Sequence, residues 1–425
     1  MTVVVGLSKP SGVPSFEVDF HAVGTLGEDP YPMYAEMRDA GPVVWLEKYG
    51  YYAFPRFAEV SGALKDWDTF TSGAGVGFND PFNSVRSSSL LSHGEQHDEI
   101  RWIETRPLIP ERLAGYQSTI KEYARDLVDG LAERGTVDGV LDIAARLPLD
   151  VVTDLVGLDN AGRQNLLQWG IEAFNMVGPM HSPLTENAFV AWQGFMEYAA
   201  ENVPDKAKPG GWVEELYRNA REAGWDDEFT RGVMIDYVGP SLDTTIHAIS
   251  TGLLLFAQHP EQWDKVRANP GLLSKTAIVE IVRMATPIQY FTRSVTTNVE
   301  VGGVTIPEGS RVVIMYASAN RDERQFPNPD VFDVERRAAE QVAWGGGKHT
   351  CIGKALARME MLALFGLLAE RFERFEAGAH CYNVNNIVRG LEHLELSLIP
   401  ATTAGTAAVD GPADTRCPRY QGDHR

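Results

Sequence analysis

The residues best suited to chemistry in this chain lie in the stretch Trp344-Gly-Gly-Gly-Lys-His-Thr-Cys351-Ile-Gly353. The run that follows, Lys354 to Phe365, carries apolar residues at helical spacing. The spacing therefore predicts a thiol at the mouth of a helix, where exposed N–H groups and the positive end of the dipole favour the thiolate. A thiolate serves as a nucleophile or as a soft metal ligand. The plainer alternative is a small buried hydrophobe, which describes most free cysteines. Glycines on both sides, Gly347 and Gly353 among them, would let backbone approach a flat group closely. A second pair, Asp243-Thr244, sits in a run from about Asp227 to Gln258 whose spacing predicts one long helix, with Ile246, Ile249 and Leu253 following. An acid and an alcohol in so apolar a helix suit proton transfer, because a mid-helix Thr can bond the carbonyl of the preceding turn and open a notch. Apolar spacing on both sides of the pair argues against a helix cap. Pro240 lacks an N–H and clashes with the carbonyl four residues back, so the bend is expected to be sharp or to begin early. Ser241 adds a hydroxyl close by.

Other segments are spaced so as to hold these groups in place. Glu280 and Arg283 lie three apart on a helix predicted from about Ser274 to Met284. Alone they would read as a solvated surface pair. Phe326-Pro-Asn-Pro-Asp-Val-Phe-Asp333, with Arg336, follows, and His97 and Arg101 lie four apart near the start of the chain. In order and spacing these segments resemble the haem-thiolate monooxygenases, the cytochromes P-450. The cysteine loop matches that family at every position but one, where Trp344 stands in place of Phe. The resemblance implies a mainly α fold with small β-sheets, a single triangular helical domain enclosing haem b, with iron held by the Cys351 thiolate. It implies that His97, Arg101, Arg293 and His349 bond the haem propionates, and that Glu280 and Arg283 tie a buried helix to the loop before the thiolate. Asp243 would relay protons and Thr244 would steady oxygen. Electrons would come from an iron–sulfur ferredoxin and its NAD(P)H-dependent reductase, and O2 would be the co-substrate.

A closer resemblance concerns the substrate. Asp29-Pro-Tyr-Pro, Asp66-Trp-Asp-Thr-Phe70, Ala173-Phe174-Asn175, Pro287-Ile-Gln-Tyr-Phe291 and Arg389-Gly-Leu-Glu392 are similar to segments of bacterial P-450s that O-demethylate 4-methoxybenzoate. That subgroup implies a substrate carboxylate held by Arg86 and Ser89, aromatic walls from Phe174 and Phe291, and Ile288, Val177 and Ser241 around the ring. A guanidinium suits a carboxylate through its charged planar fork, although a solvent-facing loop arginine is the ordinary alternative. The chain departs from the subgroup at Val177 (smaller), at Tyr290 (larger and more polar), and at Asp236 and Gly239, which replace serines. Oxidation of neutral methoxyphenols is the competing enzyme reading. A haem sensor without turnover is the competing class, and the Asp243-Thr244 pair argues against it.

Composition narrows the partners. A net charge of -20 over 425 residues disfavours nucleic acid and anionic lipid. Against it, Lys348, Lys354 and Arg358 beside the thiolate helix form either a solvated face or a docking patch for an acidic electron carrier. Three cysteines make no disulfide framework and fit a reducing cytoplasm. No uncharged apolar run reaches the roughly 18–20 residues of a membrane span. No linker divides the chain, so one domain is expected over residues 16–400, with residues 1–15 loosely ordered and 401–425 an irregular tail.

Overall fold

The computed structural model describes residues 9–22, 26–131 and 133–401. The expected tail lies outside them from residue 402 onward, as do residues 1–8. Of the expected loose start, residues 9–15 run beside the sheet: the Pro14 carbonyl accepts the Trp45 N–H at 2.8 Å.

Helices dominate. The ones that build the site are α1 (Phe57–Lys65), α2 (Gly94–Thr105), α3 (Pro110–Leu131), α4 (Asn160–Asn175) and α5 (Pro183–Asn202). They are followed by α6 (Asp227–Val233), α7 (Ile235–Val238), α8 (Asp243–Gln258), α9 (Ile278–Ala285) and α10 (Lys354–Arg371). The strands are β1 (Ser15–Phe16), β2 (Val44–Leu46), β3 (Tyr51–Phe54), β4 (Phe70–Thr71), β5 (Thr136–Asp138), β6 (Phe291–Val295), β7 (Arg311–Ile314), β8 (Phe372–Tyr382) and β9 (Leu391–Pro400). One sheet runs β1-β2-β3-β7-β6-β4 and another β8-β9-β5. The cores match this division, one among the long helices and one under the larger sheet.

α3 buries Leu113, Ile120, Ala124, Val128 and Leu131, a single helical stripe, against α10. α8 is apolar nearly all round and accordingly almost fully buried. It comes close to α9 and α10 at Gly252, where a Cβ would lie 2.8 Å from the Phe365 ring and 3.1 Å from Ile281. The long helix expected from Asp227 to Gln258 is three pieces. Pro240 has no N–H to continue the ladder, and residues 239–242 form a turn between α7 and α8. Asp243 therefore opens a helix instead of standing halfway along one.

Candidate active site

α9 is anchored by Glu280 and Arg283, both fully buried. Arg283 donates to both Glu280 oxygens at 2.7 and 2.8 Å, and its remaining nitrogen donates to the carbonyls of Asn320 (2.7 Å) and Pro329 (2.9 Å). Arg336 adds a bond to Glu280 at 3.0 Å. The pair is thus a knot between α9 and the 320–336 segment, not a surface bridge. Full hydrogen bonding is what makes such a buried pair tolerable.

That segment leads to the cysteine loop. The Cys351 N–H donates to the Trp344 carbonyl at 2.9 Å, closing the loop at the N-terminus of α10. Cys351 has exposed surface and lines a large cavity. Burial pushes its thiol up, while the N–H groups of Gly353 and Lys354 and the charge of Arg101 pull it down. Burial outweighs the N–H groups and Arg101, so the helix end alone does not make this thiol acidic; a metal ion bound at the sulfur would favour the thiolate. The glycines act differently from the sequence expectation. Gly347 has φ +60, and a Cβ there would lie 2.3 Å from the Leu64 carbonyl, so it seats the loop on α1 instead of facing the cavity. Gly353 borders the cavity, where a Cβ would meet only the Cys351 sulfur at 3.8 Å.

The cavity measures about 310 Å³ and is walled chiefly by apolar side chains. At one edge four basic groups converge. The His97 and His349 rings are 4.4 Å apart, with Arg101 and Arg293 on the same wall as His349. Neither arginine makes an ion pair among the described residues: Arg101 donates to the Thr350 carbonyl and Arg293 to that of Thr292. The His97 Nε2 is buried without a partner. Desolvation, with Arg293 next in weight, lowers His349 to about 2, and desolvation also lowers His97. Such a crowd of donors calls for anions. Meanwhile no group of three or more His, Cys, Asp or Glu converges to hold a bare metal ion among the described residues. A flat, iron-bearing group with its own ring ligands and two carboxylates fits both facts, with Cys351 as the protein's ligand.

Over the cavity, Thr244 Oγ1 donates to the Pro240 carbonyl at 3.0 Å, the backward bond expected of it. Ser241 similarly donates to the Tyr237 carbonyl. Asp243 is buried but lies off the cavity wall, with one oxygen 3.0 Å from His247 Nε2 and the other unpartnered. His247 in turn meets the Asn383 amide at 3.3 Å. The sequence reading missed His247 because nothing local marks a partner that comes from a strand-end loop.

Phe174, Val177, Ile288 and Phe291 line the cavity, as expected. Phe189 and Trp192 of α5 join them, and in sequence nothing separates such helix aromatics from ordinary core. Tyr290 turns away; its hydroxyl donates to the Asn386 carbonyl at 3.1 Å. The carboxylate anchor is not assembled. Arg86 is exposed and off the cavity wall, donating to the carbonyls of Asn83 (2.8 Å) and Val85 (2.9 Å) that the end of the short helix Asp80–Asn83 leaves open. Ser89 does face the cavity, but its N–H and hydroxyl both point to the Asp236 carboxylate, at 2.7 and 3.2 Å. The expected docking patch is likewise engaged: Lys348 pairs with Asp98 at 2.7 Å, Lys354 lies over the Trp344 ring, and Arg358 donates to the Ser274 carbonyl.

A thiol under an apolar chamber, rimmed by donors awaiting carboxylates, defines the class as a thiolate-ligated haem protein. Comparison with known proteins gives the family. Residues 272–380 match the cytochrome P-450 family model. The chain is 34% identical over 410 residues to cytochrome P-450 CYP199A2 of Rhodopseudomonas palustris, spanning 94% of this chain and 98% of that one. It is 30% identical over 392 residues to linalool 8-monooxygenase of Pseudomonas putida, spanning 87% and 96%. Among solved structures, Mycobacterium marinum cytochrome P-450 CYP268A2 in complex with pseudoionone superposes with a TM-score of 0.80 at 26% identity, covering 91% of this chain and all of that one. The chain belongs to the cytochrome P-450 family: it is a haem-dependent monooxygenase that uses O2 and electrons from a redox partner. No helix among the described residues is long and apolar enough to cross a membrane.

Proposed function

We propose that this monooxygenase oxidises small flat aromatic molecules and O-demethylates aryl methyl ethers. The carrying observation is the set of aromatic and branched side chains, Phe174, Phe291, Ile288, Val177 and Trp192, that wall the chamber above Cys351. Flat walls favour a ring, since stacked and edge-on aromatic contacts contribute about 0.5–1.5 kcal/mol beyond burial.

Bound haem supplies reductive activation of O2, placing one oxygen atom in a substrate C–H bond and releasing the other as water. Cys351 would hold the iron, and His97, Arg101, Arg293 and His349 would hold the propionates. The apolar walls exclude water and turn the ether methyl toward the reacting side. Thr244, bent back on the Pro240 carbonyl, presents its oxygen to the chamber, and Asp243, buried behind it against His247, would relay protons. Hydroxylation of the methyl carbon gives a hemiacetal, which collapses to a phenol and formaldehyde. An iron–sulfur ferredoxin and its NAD(P)H-dependent reductase are the proposed electron source, in the cytoplasm.

For the far end of the ring, the benzoate-oxidising relatives offer a carboxylate held by Arg86 and Ser89. Arg86 stands outside the chamber and Ser89 is bonded to Asp236, so the proposal keeps the ring and the ether and drops the carboxylate. The ferric holoenzyme, titrated with methoxyarenes and with linalool, tests it. Low-micromolar spectral shifts and formaldehyde from the methoxyarenes support the reading; a response to linalool alone sinks it.

A further inference from the structure

We infer that the Asp236 carboxylate selects substrates that present a hydrogen-bond donor, a phenolic hydroxyl, at the end of the chamber away from the ether, and rejects those that present a carboxylate. The inference rests on the aromatic reading of the chamber and adds to it the identity of the polar end.

Asp236 lies on α7 and lines the chamber beside Ser88 and Ser89. Its Oδ1 accepts the Ser88 hydroxyl at 2.7 Å, and its Oδ2 accepts the Ser89 N–H at 2.7 Å, with the Ser89 hydroxyl at 3.2 Å. The donors that could have met a substrate carboxylate are therefore spent on one the protein already carries. An arriving benzoate would find a like charge and no free proton. A carboxylate offers about four acceptor positions, and the Ser88 hydroxyl, shared between Oδ1 and Oδ2 at 2.7 and 3.1 Å, leaves Oδ1 the less engaged of the two.

The surroundings sharpen this polarity. Glu104, fully buried behind Asp236 and off the cavity wall, has Asp236 and Ser89 as its polar neighbours. Burial and the adjoining Asp236 charge raise it well above the usual carboxylate range, so it stays neutral. It supplies no cation to offset Asp236. Arg101 gives its hydrogen bond to the Thr350 carbonyl of the cysteine loop and acts on Asp236 through charge alone. The polar end is thus an acceptor in a chamber otherwise apolar, where an unpaired donor or a misplaced charge is penalised most.

Three ligands of matched shape test the inference on the holoenzyme: 4-methoxyphenol, 4-methylanisole and 4-methoxybenzoate, bound to the native protein and to Asp236→Asn, by calorimetry and difference spectra. A hydrogen bond to a charged acceptor should make 4-methoxyphenol bind about 10- to 100-fold more tightly than 4-methylanisole in the native protein, with 4-methoxybenzoate weakest. In Asp236→Asn the phenol should lose most of that advantage and the benzoate should gain at least about tenfold. Tighter binding of the benzoate than of the phenol by the native protein overturns the inference and leaves the aromatic reading standing. Equal weakening of all three ligands in the variant also overturns it, since Asp236 would then only pin the 88–92 loop. If the native protein binds none of the three, the aromatic reading itself fails. The native ranking decides the matter even where the variant folds poorly.

Discussion

Two side chains carry the proposed chemistry, and each makes a sharp prediction. Cys351 is pulled toward the thiolate by the Gly353 and Lys354 N–H groups and by Arg101, against a larger cost of burial. Once a cation sits on the sulfur, that balance reverses. Reduced holoenzyme under carbon monoxide should show the red-shifted Soret band of strong sulfur donation, and Cys351→His should lose it. A Cys351→His spectrum that kept the band would show that some other group binds the iron. Thr244 presents its oxygen at the bend after Pro240. Thr244→Ala should bind substrate and consume NADH through its partners, yet release most of the oxygen as hydrogen peroxide, which an assay of product formed per NADH reads directly. These residues were legible in the sequence because their types are rare in such company. The orientation of Arg86 was not, since it depends on where a four-residue helix happens to expose its carbonyls.

The elements show where periodicity misleads. Apolar spacing from Asp227 to Gln258 predicts one helix, and the structure has three, 227–233, 235–238 and 243–258. One proline divides the run. The Glu280–Arg283 pair shows the opposite: a spacing found on countless helix surfaces is buried here because the 320–336 segment covers it with carbonyls. Arg283→Ala would leave Glu280 buried with only Arg336 and one N–H, a loss of about 3–5 kcal/mol. The thermal midpoint should fall accordingly, and haem uptake during expression should drop. A variant that unfolds at the native temperature would show that the knot contributes nothing net.

For the molecule as a whole, charge is the property least visible from the chain alone. Lys348 is neutralised by Asp98, which lies 250 residues earlier in the sequence, so a patch that looks free in the sequence is partly engaged. Stability should also depend on pH through one buried acid. Glu360, on α10, is raised by burial to about 8 from an ordinary 4.5. The folded state then holds a proton that the unfolded chain gives up above pH 4.5. Stability is accordingly lost as pH rises from about 4.5 to about 8, and the loss is constant beyond. Glu360→Gln should therefore match the native protein near pH 4 and exceed it at pH 8 by on the order of 3 kcal/mol. Urea midpoints at the two pH values test this, and an equal difference at both would place the acid in water.

The four basic groups at the chamber edge bear on how the protein is made. In the folded chain without its cofactor, Arg101 and Arg293 come together beside His97 and His349 with no ion pair of their own among the described residues, from segments up to about 250 residues apart in sequence. Whatever binds the folded state alone stabilises it by mass action, and a dicarboxylate that pairs with the two arginines does so with particular force. Cofactor supply in the producing cell would then set the yield of folded enzyme, and starved cells would accumulate a chain that proteases clear before it matures.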